Sequence, residues 1–282
     1  MKKIFIFLML PVFLFSGCAK TKDVFNNEIY LEPQDAISVS ASTVSDYSSF
    51  SNVMYGWGLK KNVNAPPEIP ESIVKLTEKY GAYYIDKVPK SLYLTFDEGY
   101  ENGYTAKILD VLKENEVPAA FFVTGPYLKK ETELVKRMVD EGHIVGNHSV
   151  NHPSLPSVTD DEKLKKEITD LNNEFKSKFG KDMKYLRAPR GEYSERTLAI
   201  TRDLGYTNVF WSFAYKDWDV NNQKGTDYAY DEIKKGVHDG AVLLLHAVSK
   251  DNANILDRII KDLKNEGYVF KSLDEFGKQW NF

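Results

Sequence analysis

A single cysteine in 282 residues removes two classes of protein at the outset. A disulfide-stapled scaffold needs paired thiols, and a zinc site built on thiolates needs several. Basic charge is also short, with 37 Lys and Arg against 41 Asp and Glu and a formal net charge of −4. Sequence-independent binding of nucleic acid rests on a basic footprint, so no nucleic-acid partner is expected. The apolar run from Ile4 to Phe15 falls short of the ~20 residues that cross a bilayer comfortably. No G-x-S-x-G elbow is present, and Cys18 lies far from any folded segment, so a Ser or Cys nucleophile is not expected. What the chain does have is 42% hydrophobic, 13% aromatic and 28% charged residues. That is the make-up of one large enzyme-sized domain with an appendage.

The appendage is at the front. Lys2 and Lys3 precede the Ile4–Phe15 run, and Ser16-Gly17-Cys18 follows it. This is the layout of a secretory signal over residues 1–17. Ser-Gly-Cys resembles a bacterial lipobox, in which the Cys is lipidated and becomes the mature N-terminus. The alternative is a simple cleaved signal or an uncleaved anchor with an incidental Cys18. Either way the protein leaves the cytoplasm. Residues 18–54 are rich in Ser (Ser40, Ser42, Ser45, Ser48, Ser49, Ser51) and show no helical period, which predicts a flexible tether. Residues 55–90 gain Trp57, Pro66, Pro67 and Pro70 and an amphipathic stretch around Ile73-Val74-Leu76, which predicts an extension packed on the main domain with one helix.

From Ser91 to residue 280 short apolar runs alternate with helical periods. The runs are Leu92–Phe96, Ala119–Thr124, His143–Asn147, Lys184–Ala188, Tyr206–Ser212, Ala241–His246 and Tyr268–Leu273. One helical period follows Thr159 with a capping-box spacing to Glu162, then Leu164, Ile168, Leu171 and Phe175. Another carries Ile255, Ile259 and Leu263 and stops at Gly267. Seven strands alternating with helices predict an α/β fold with a parallel sheet buried on both faces. No Gly-rich phosphate loop follows strand one, which favours an incomplete (β/α)7 barrel over an open doubly wound sheet. In such barrels the chemistry sits beyond the C-terminal ends of the strands.

Polar residues gather at those ends. They are Asp97-Glu98-Gly99-Tyr100, His148-x3-His152, Arg187-Ala-Pro189-Arg190-Gly191, Asp217-Trp218 and His246. Two His separated by three residues can converge on one ion, with a neighbouring carboxylate completing the set. Pro153 places the pair in a loop or a single turn. A further acid and a third His, Asp97 and His246, arrive from other strands and are free for proton transfer. An ion, a base and an acid together suit hydrolysis of an unreactive carbonyl such as an amide.

In order and spacing, Thr95-Phe96-Asp97-Glu98-Gly99, His148-x3-His152, Arg187-x-Pro189-Arg190-Gly191, Asp217-Trp218 and Leu244-Leu245-His246 resemble the five motifs of the polysaccharide deacetylases. This is the NodB-homology group, carbohydrate esterase family 4, and the resemblance covers roughly residues 90–275. Within it the chain is most similar to the spore-cortex branch, the delta-lactam-biosynthetic de-N-acetylases. That likeness rests on Leu94–Tyr104, Trp211-Ser-x-Ala214-x-x-Asp217-Trp218, Asn221–Gly225 and Trp57-Gly58, over roughly residues 55–275. The resemblance implies removal of the N-acetyl group from peptide-stripped N-acetylmuramic acid in peptidoglycan glycan strands, followed by closure to muramic δ-lactam. It implies Asp97 as general base held by Arg187, and His246 as general acid supported by Asp217. It also implies His148 and His152 as ligands of a divalent metal, zinc by default. Trp218 and Leu244 would line the sugar groove, with Tyr100 stacking on a ring. A monomer is expected.

Two positions depart from the family. Glu98 stands where most members have a second Asp, and can either ligate with a longer reach or swing away. Arg190 stands where many have an aromatic residue, and an Arg suits the lactyl carboxylate that distinguishes muramic acid from glucosamine. The alternatives left open are deacetylation of another glycan (chitin oligomers or the glucosamine of peptidoglycan) and a wall-binding protein without activity.

Overall fold

The structure, a computed structural model, describes residues 46–278. The signal segment, Cys18 and the tether up to residue 45 lie outside the described residues. Residues 46–54, assigned above to the tether, instead lie on the domain. Tyr47 is buried and its hydroxyl donates to Asp203 at 3.1 Å, while the Ser51 carbonyl accepts the Arg196 N–H at 3.0 Å. An aromatic side chain gave this stretch something to bury, which its serine content concealed.

In chain order the elements are β1 (Tyr55–Gly56), α1 (Glu71–Lys79), β2 (Ser91–Glu98), α2 (Thr105–Glu114), β3 (Ala119–Val123), α3 (Gly125–Lys130), α4 (Thr132–Asp140), β4 (Ile144–Asn147), α5 (Asp161–Phe179), β5 (Tyr185–Leu186), β6 (Glu192–Tyr193), α6 (Glu195–Asp203), β7 (Thr207–Asn208), β8 (Phe213–Ala214), α7 (Thr226–Gly236), β9 (Ala241–His246), α8 (Lys250–Asn265) and β10 (Val269–Phe270). The main sheet runs β7-β5-β4-β3-β2-β9-β8, and β10 joins the start of β2. All of these pairings are parallel. Strand β2 is buried at every position from Ser91 to Glu98, as a strand covered on both faces must be. Helix α8 buries Ile255, Leu256, Ile259, Ile260 and Leu263, the stripe a 3.6-residue period dictates.

The seven predicted strands correspond to β2, β3, β4, β5, β7, β9 and β10, but one of them divides. Only Thr207–Asn208 of the Tyr206–Ser212 run pairs with β5. The chain then crosses the open side of the barrel, and Phe213–Ala214 pairs with β9. On the way Val209 N–H donates to Leu186 O at 2.8 Å and Ser212 N–H to Val242 O at 3.0 Å. The extension finishes the closure, with Tyr83 bridging Val209 and Ile85 bridging Ala241. Here Gly240 is required, because it has φ +75° and a Cβ would lie 1.9 Å from the Asp86 carbonyl oxygen. The incomplete barrel is thus sealed by a crossing segment and by residues that precede the first main strand.

Smaller expectations also resolve. Helix α1 is the single helix of the extension, and Trp57 stacks on Phe210 with ring centroids 4.3 Å apart. Helix α5 ends at Gly180 in the left-handed conformation. Its N-cap is Asp160, which accepts the Lys163 N–H, and not Thr159. The carboxylate one residue later is the better acceptor for a helix N-terminus.

Candidate active site

Alternation along β2 turns Thr95 and Asp97 into the barrel mouth. Asp97 receives Arg187 Nη1 at 2.8 Å. Arg187 is wholly buried at the end of β5, and every other donor it uses is also satisfied. Nη2 donates to Thr95 Oγ1 at 2.9 Å and to the Phe210 carbonyl at 3.3 Å, and Nε donates to the Val209 carbonyl at 3.0 Å. Its guanidinium lies 4.2 Å from the centroid of the Phe122 ring. Burial alone would push the Asp97 carboxyl up, but Arg187, His148 and His246 outweigh it and hold the group below its ordinary range. Asp97 is therefore a carboxylate at neutral pH.

His148 follows β4. Its Nδ1 lies 2.8 Å from the Arg187 carbonyl, so Nδ1 carries the proton and the Nε2 lone pair points into the cleft, 3.5 Å from Asp97 Oδ2. His152 returns beside it through a tight turn in which Ser149 and His152 both have positive φ, at +63° and +58°. Ser149 Oγ accepts the His152 N–H at 2.9 Å and Asn147 Oδ1 accepts the Ser149 N–H at 2.8 Å, and these bonds fix the turn. The two rings stand 4.8 Å apart. Burial lowers the pKa of both, helped at His152 by the His148 charge, and His152 falls to about 4. Both imidazoles are neutral at pH 7 with lone pairs available, the state a metal ligand requires.

Glu98 does not join them. It is the next residue of the strand and points to the opposite face, where its side chain is fully buried and neither carboxylate oxygen has a hydrogen-bond partner. Burial first, then the charges of Glu101 and Asp97, raise its carboxyl well above the ordinary value. The divalent ion implied by the sequence therefore finds two fitting donors, His148 and His152, and lacks the expected third. Among the described residues no three His, Cys, Asp or Glu side chains form a group able to hold an ion.

His246 ends β9, and Asp217 comes from the segment after β8. Asp217 Oδ1 accepts from His246 Nδ1 at 2.7 Å, and Oδ2 accepts the His246 backbone N–H at 2.8 Å. Burial would lower the imidazole pKa, but the Asp217 charge and hydrogen bond reverse this and raise it. The sequence reading missed the groups behind this pair. Asn252 Nδ2 donates to Asp217 Oδ2 at 2.6 Å. Gln223 Nε2 donates to the carbonyls of Asp217 and Asp219 at 2.9 and 3.0 Å, and its Oε1 accepts from Ser249 Oγ at 2.7 Å. The one available signal was position, since Ser249 and Asn252 begin the helix that follows a site-bearing strand.

Asp97, His148, His152 and His246 line a single cleft of about 970 Å³, with Tyr100, Arg190, Trp218 and Leu244 in its walls. Arg187 and Asp217 stand behind it. Trp218 and Tyr100 are 54% and 53% exposed, large aromatic faces left open at the rim. Arg190 is exposed, adopts φ +60°, and its charge is felt at His152. A carboxylate held below its ordinary pKa and an imidazole raised above its own therefore share one cleft with two open aromatic faces. This combination can transfer protons to and from a bound sugar amide.

Comparison with known proteins agrees with this geometry. Residues 85–209 match the family described as polysaccharide deacetylase. The chain is 54% identical over 231 residues to a 30.6 kDa protein of Geobacillus stearothermophilus, covering 81% of this chain and 87% of that one. It is 52% identical over 227 residues to the peptidoglycan-N-acetylmuramic acid deacetylase PdaA of Bacillus subtilis, covering 79% of this chain and 86% of PdaA. The solved structure of that PdaA, a family 4 carbohydrate esterase, superposes with a TM-score of 0.78, covering 80% of this chain and 97% of the other. The chain belongs to the polysaccharide deacetylases, and its curled parallel sheet is the fold of that family.

Proposed function

We propose that this protein is a peptidoglycan N-acetylmuramic acid deacetylase acting on peptide-stripped residues, whose product closes to muramic δ-lactam in spore cortex. The observation that carries the chemistry is the pairing of two clamped dyads in one cleft, Arg187–Asp97 and Asp217–His246. Asp97 takes a proton from the water that attacks the acetyl carbonyl. His246 gives its proton to the nitrogen as the C–N bond breaks, and Asp217 stabilises the imidazolium beforehand. Acetate and a free amine leave. Supporting the choice of sugar are the similarity to PdaA over most of both chains and the exposed Arg190 guanidinium at the rim.

Deacetylases of this family are metalloenzymes. We assign a divalent ion, zinc by default, to His148 and His152, with Glu98 outside its shell. Trp218, Tyr100 and Leu244 are assigned to the glycan strand. A peptidoglycan-modifying enzyme works at the wall, outside the cytoplasmic membrane, and we assign the N-terminus, with Cys18, to export and membrane tethering. No helix among the described residues is long and apolar enough to cross a membrane.

Mass spectrometry of peptide-free glycan strands after incubation tests the reading. Loss of acetyl from muramic acid and appearance of the lactam are expected. Deacetylation confined to glucosamine would overturn the substrate. A second reading, a wall-binding protein without activity, has the position of Glu98 in its favour, and absence of any acetate release on every glycan would establish it.

A further inference from the structure

The Asp217–His246 dyad is itself held by a residue outside all five motifs. Asn252 is 1% exposed in the first turn of α8, where the Ser249 hydroxyl accepts its backbone N–H at 3.2 Å. Its side-chain amide donates to Asp217 Oδ2 at 2.6 Å and to the His246 carbonyl at 3.4 Å. On its other side Oδ1 accepts the Tyr215 hydroxyl.

This orientation is forced. An ionised carboxylate only accepts hydrogen bonds, so the NH₂ end of the amide must face Asp217. The carbonyl end then needs a donor, and the buried Tyr215 hydroxyl supplies it. Asp217 is 2% exposed and takes its other two bonds from His246, one from the ring and one from the backbone. Asn252 is therefore the side chain, other than the histidine itself, that holds the carboxylate in the plane the imidazole needs. Tyr215 lies in the cleft wall and Asn252 behind it, so one polar chain runs Tyr215–Asn252–Asp217–His246. A buried network of this kind is rigid when fully satisfied and costly when one member is lost.

We propose that Asn252, oriented by Tyr215, is a positioning residue for proton donation by His246. The proposal rests on the acid role assigned to His246 above. Its loss leaves Asp217 one donor short, so the carboxylate and the imidazole it steers can rotate away from the leaving nitrogen. Binding of the glycan, which Asn252 does not touch, is unaffected.

The test compares Asn252→Ala, Asn252→Asp and Tyr215→Phe with His246→Ala in the full chain, by acetate release on glycan strands and by thermal melting. Asn252→Ala is expected to lower kcat about 5- to 30-fold with KM unchanged. Asn252→Asp keeps the shape and sets a second carboxylate against Asp217, so its loss is expected to be larger. Tyr215→Phe loses less than either and adds nothing to Asn252→Ala. In a His246→Ala background Asn252→Ala should have no further effect. An Asn252→Asp enzyme with wild-type kcat, or an Asn252→Ala loss carried entirely by KM, overturns the proposal. If His246→Ala itself stays active, the acid assignment fails, which is a separate result from the failure of Asn252.

Discussion

Asp97 and His246 are register partners: β2 and β9 run side by side in parallel with these two residues directly opposite each other at the strand ends. The sheet thus sets their spacing through backbone hydrogen bonds. Each is then backed by a buried group of opposite charge, Arg187 for the carboxylate and Asp217 for the imidazole. The proposed base and acid lie on neighbouring strands joined by a six-residue ladder, a rigid support for a catalytic pair.

Removal of either group should therefore end catalysis without unfolding the protein. Asp97→Asn and His246→Ala are each expected to lower acetate release by ~10²–10⁴-fold, the usual contribution of a positioned acid or base. Asp97→Asn also leaves the buried Arg187 without its counter-charge, so some loss of thermal stability accompanies it. Turnover above about a tenth of wild type in either variant contradicts the assignment.

The pH dependence has a defined sign. As the proposed base Asp97 acts ionised, and its lowered pKa keeps it so below the ordinary carboxylate value of about 3.9. This leaves the acid limb to protonation of the His148–His152 pair, with His152 at about 4. His246 acts protonated, and its raised pKa keeps activity above the ordinary imidazole value of about 6.5 until the proton is lost. Asp217→Asn removes the charge that raises it and leaves burial, which lowers it, so the alkaline limb should move below about 6.5. A profile of kcat/KM against pH for both proteins checks this, and an unmoved alkaline limb in the variant refutes it.

Much of this site could be read from the sequence, because a parallel strand buried on both faces is a compact apolar run and its end is marked by the first polar residue. That is how Asp97, His148, Arg187 and His246 came to stand together. The closure of the barrel could not be read so. The pairing of Tyr83 with Val209 and the jump of residues 207–214 between sheet edges are long-range contacts with no local period. Asn252 was invisible for a similar reason, since a polar residue in a first helical turn reads as ordinary capping chemistry. Glu98 was legible in principle. Neighbours on a strand face opposite ways, so an inward Asp97 already implied an outward Glu98.

The position of Glu98 yields a test of the metal assignment. Burial without hydrogen-bond partners raises the Glu98 carboxyl well above its ordinary value and so favours its neutral form, of which Gln is the isostere. Glu98→Gln should keep ion affinity within about threefold, whereas His152→Ala should lose ~10- to 100-fold or more. Calorimetric titration of the ion-free proteins measures both. A large loss in Glu98→Gln would show that the carboxylate turns inward to ligate. Exhaustive chelation of the wild type should silence it, and activity that survives with no ion left by elemental analysis removes the metal from the mechanism.

The proposed choice of sugar is assigned to Arg190. The residue tops the turn Pro189–Gly191 directly after β5, three positions beyond the buried Arg187, and its charge reaches His152 across the cleft. Its backbone holds φ +60°, a conformation that favours Gly over a side chain and is kept at some cost. No hydrogen bond or ion pair among the described residues engages its guanidinium, so the fork is available to a ligand. N-acetylmuramic acid differs from N-acetylglucosamine by a lactyl ether ending in a carboxylate, the planar anion that Arg grips bidentately. Such a charge-assisted bond contributes roughly 1.5–3 kcal/mol, so Arg190→Ala should lower kcat/KM on muramic acid about ten- to a hundredfold. On a glucosamine-type acceptor the change should be small, and thermal stability should hold. Arg190→Lys should recover only part of the loss, because an ammonium is a point charge without the fork. The decisive comparison is Arg190→Ala on both acceptors side by side. Equal losses would mean that Arg190 supports the wall of the cleft and does not select the sugar.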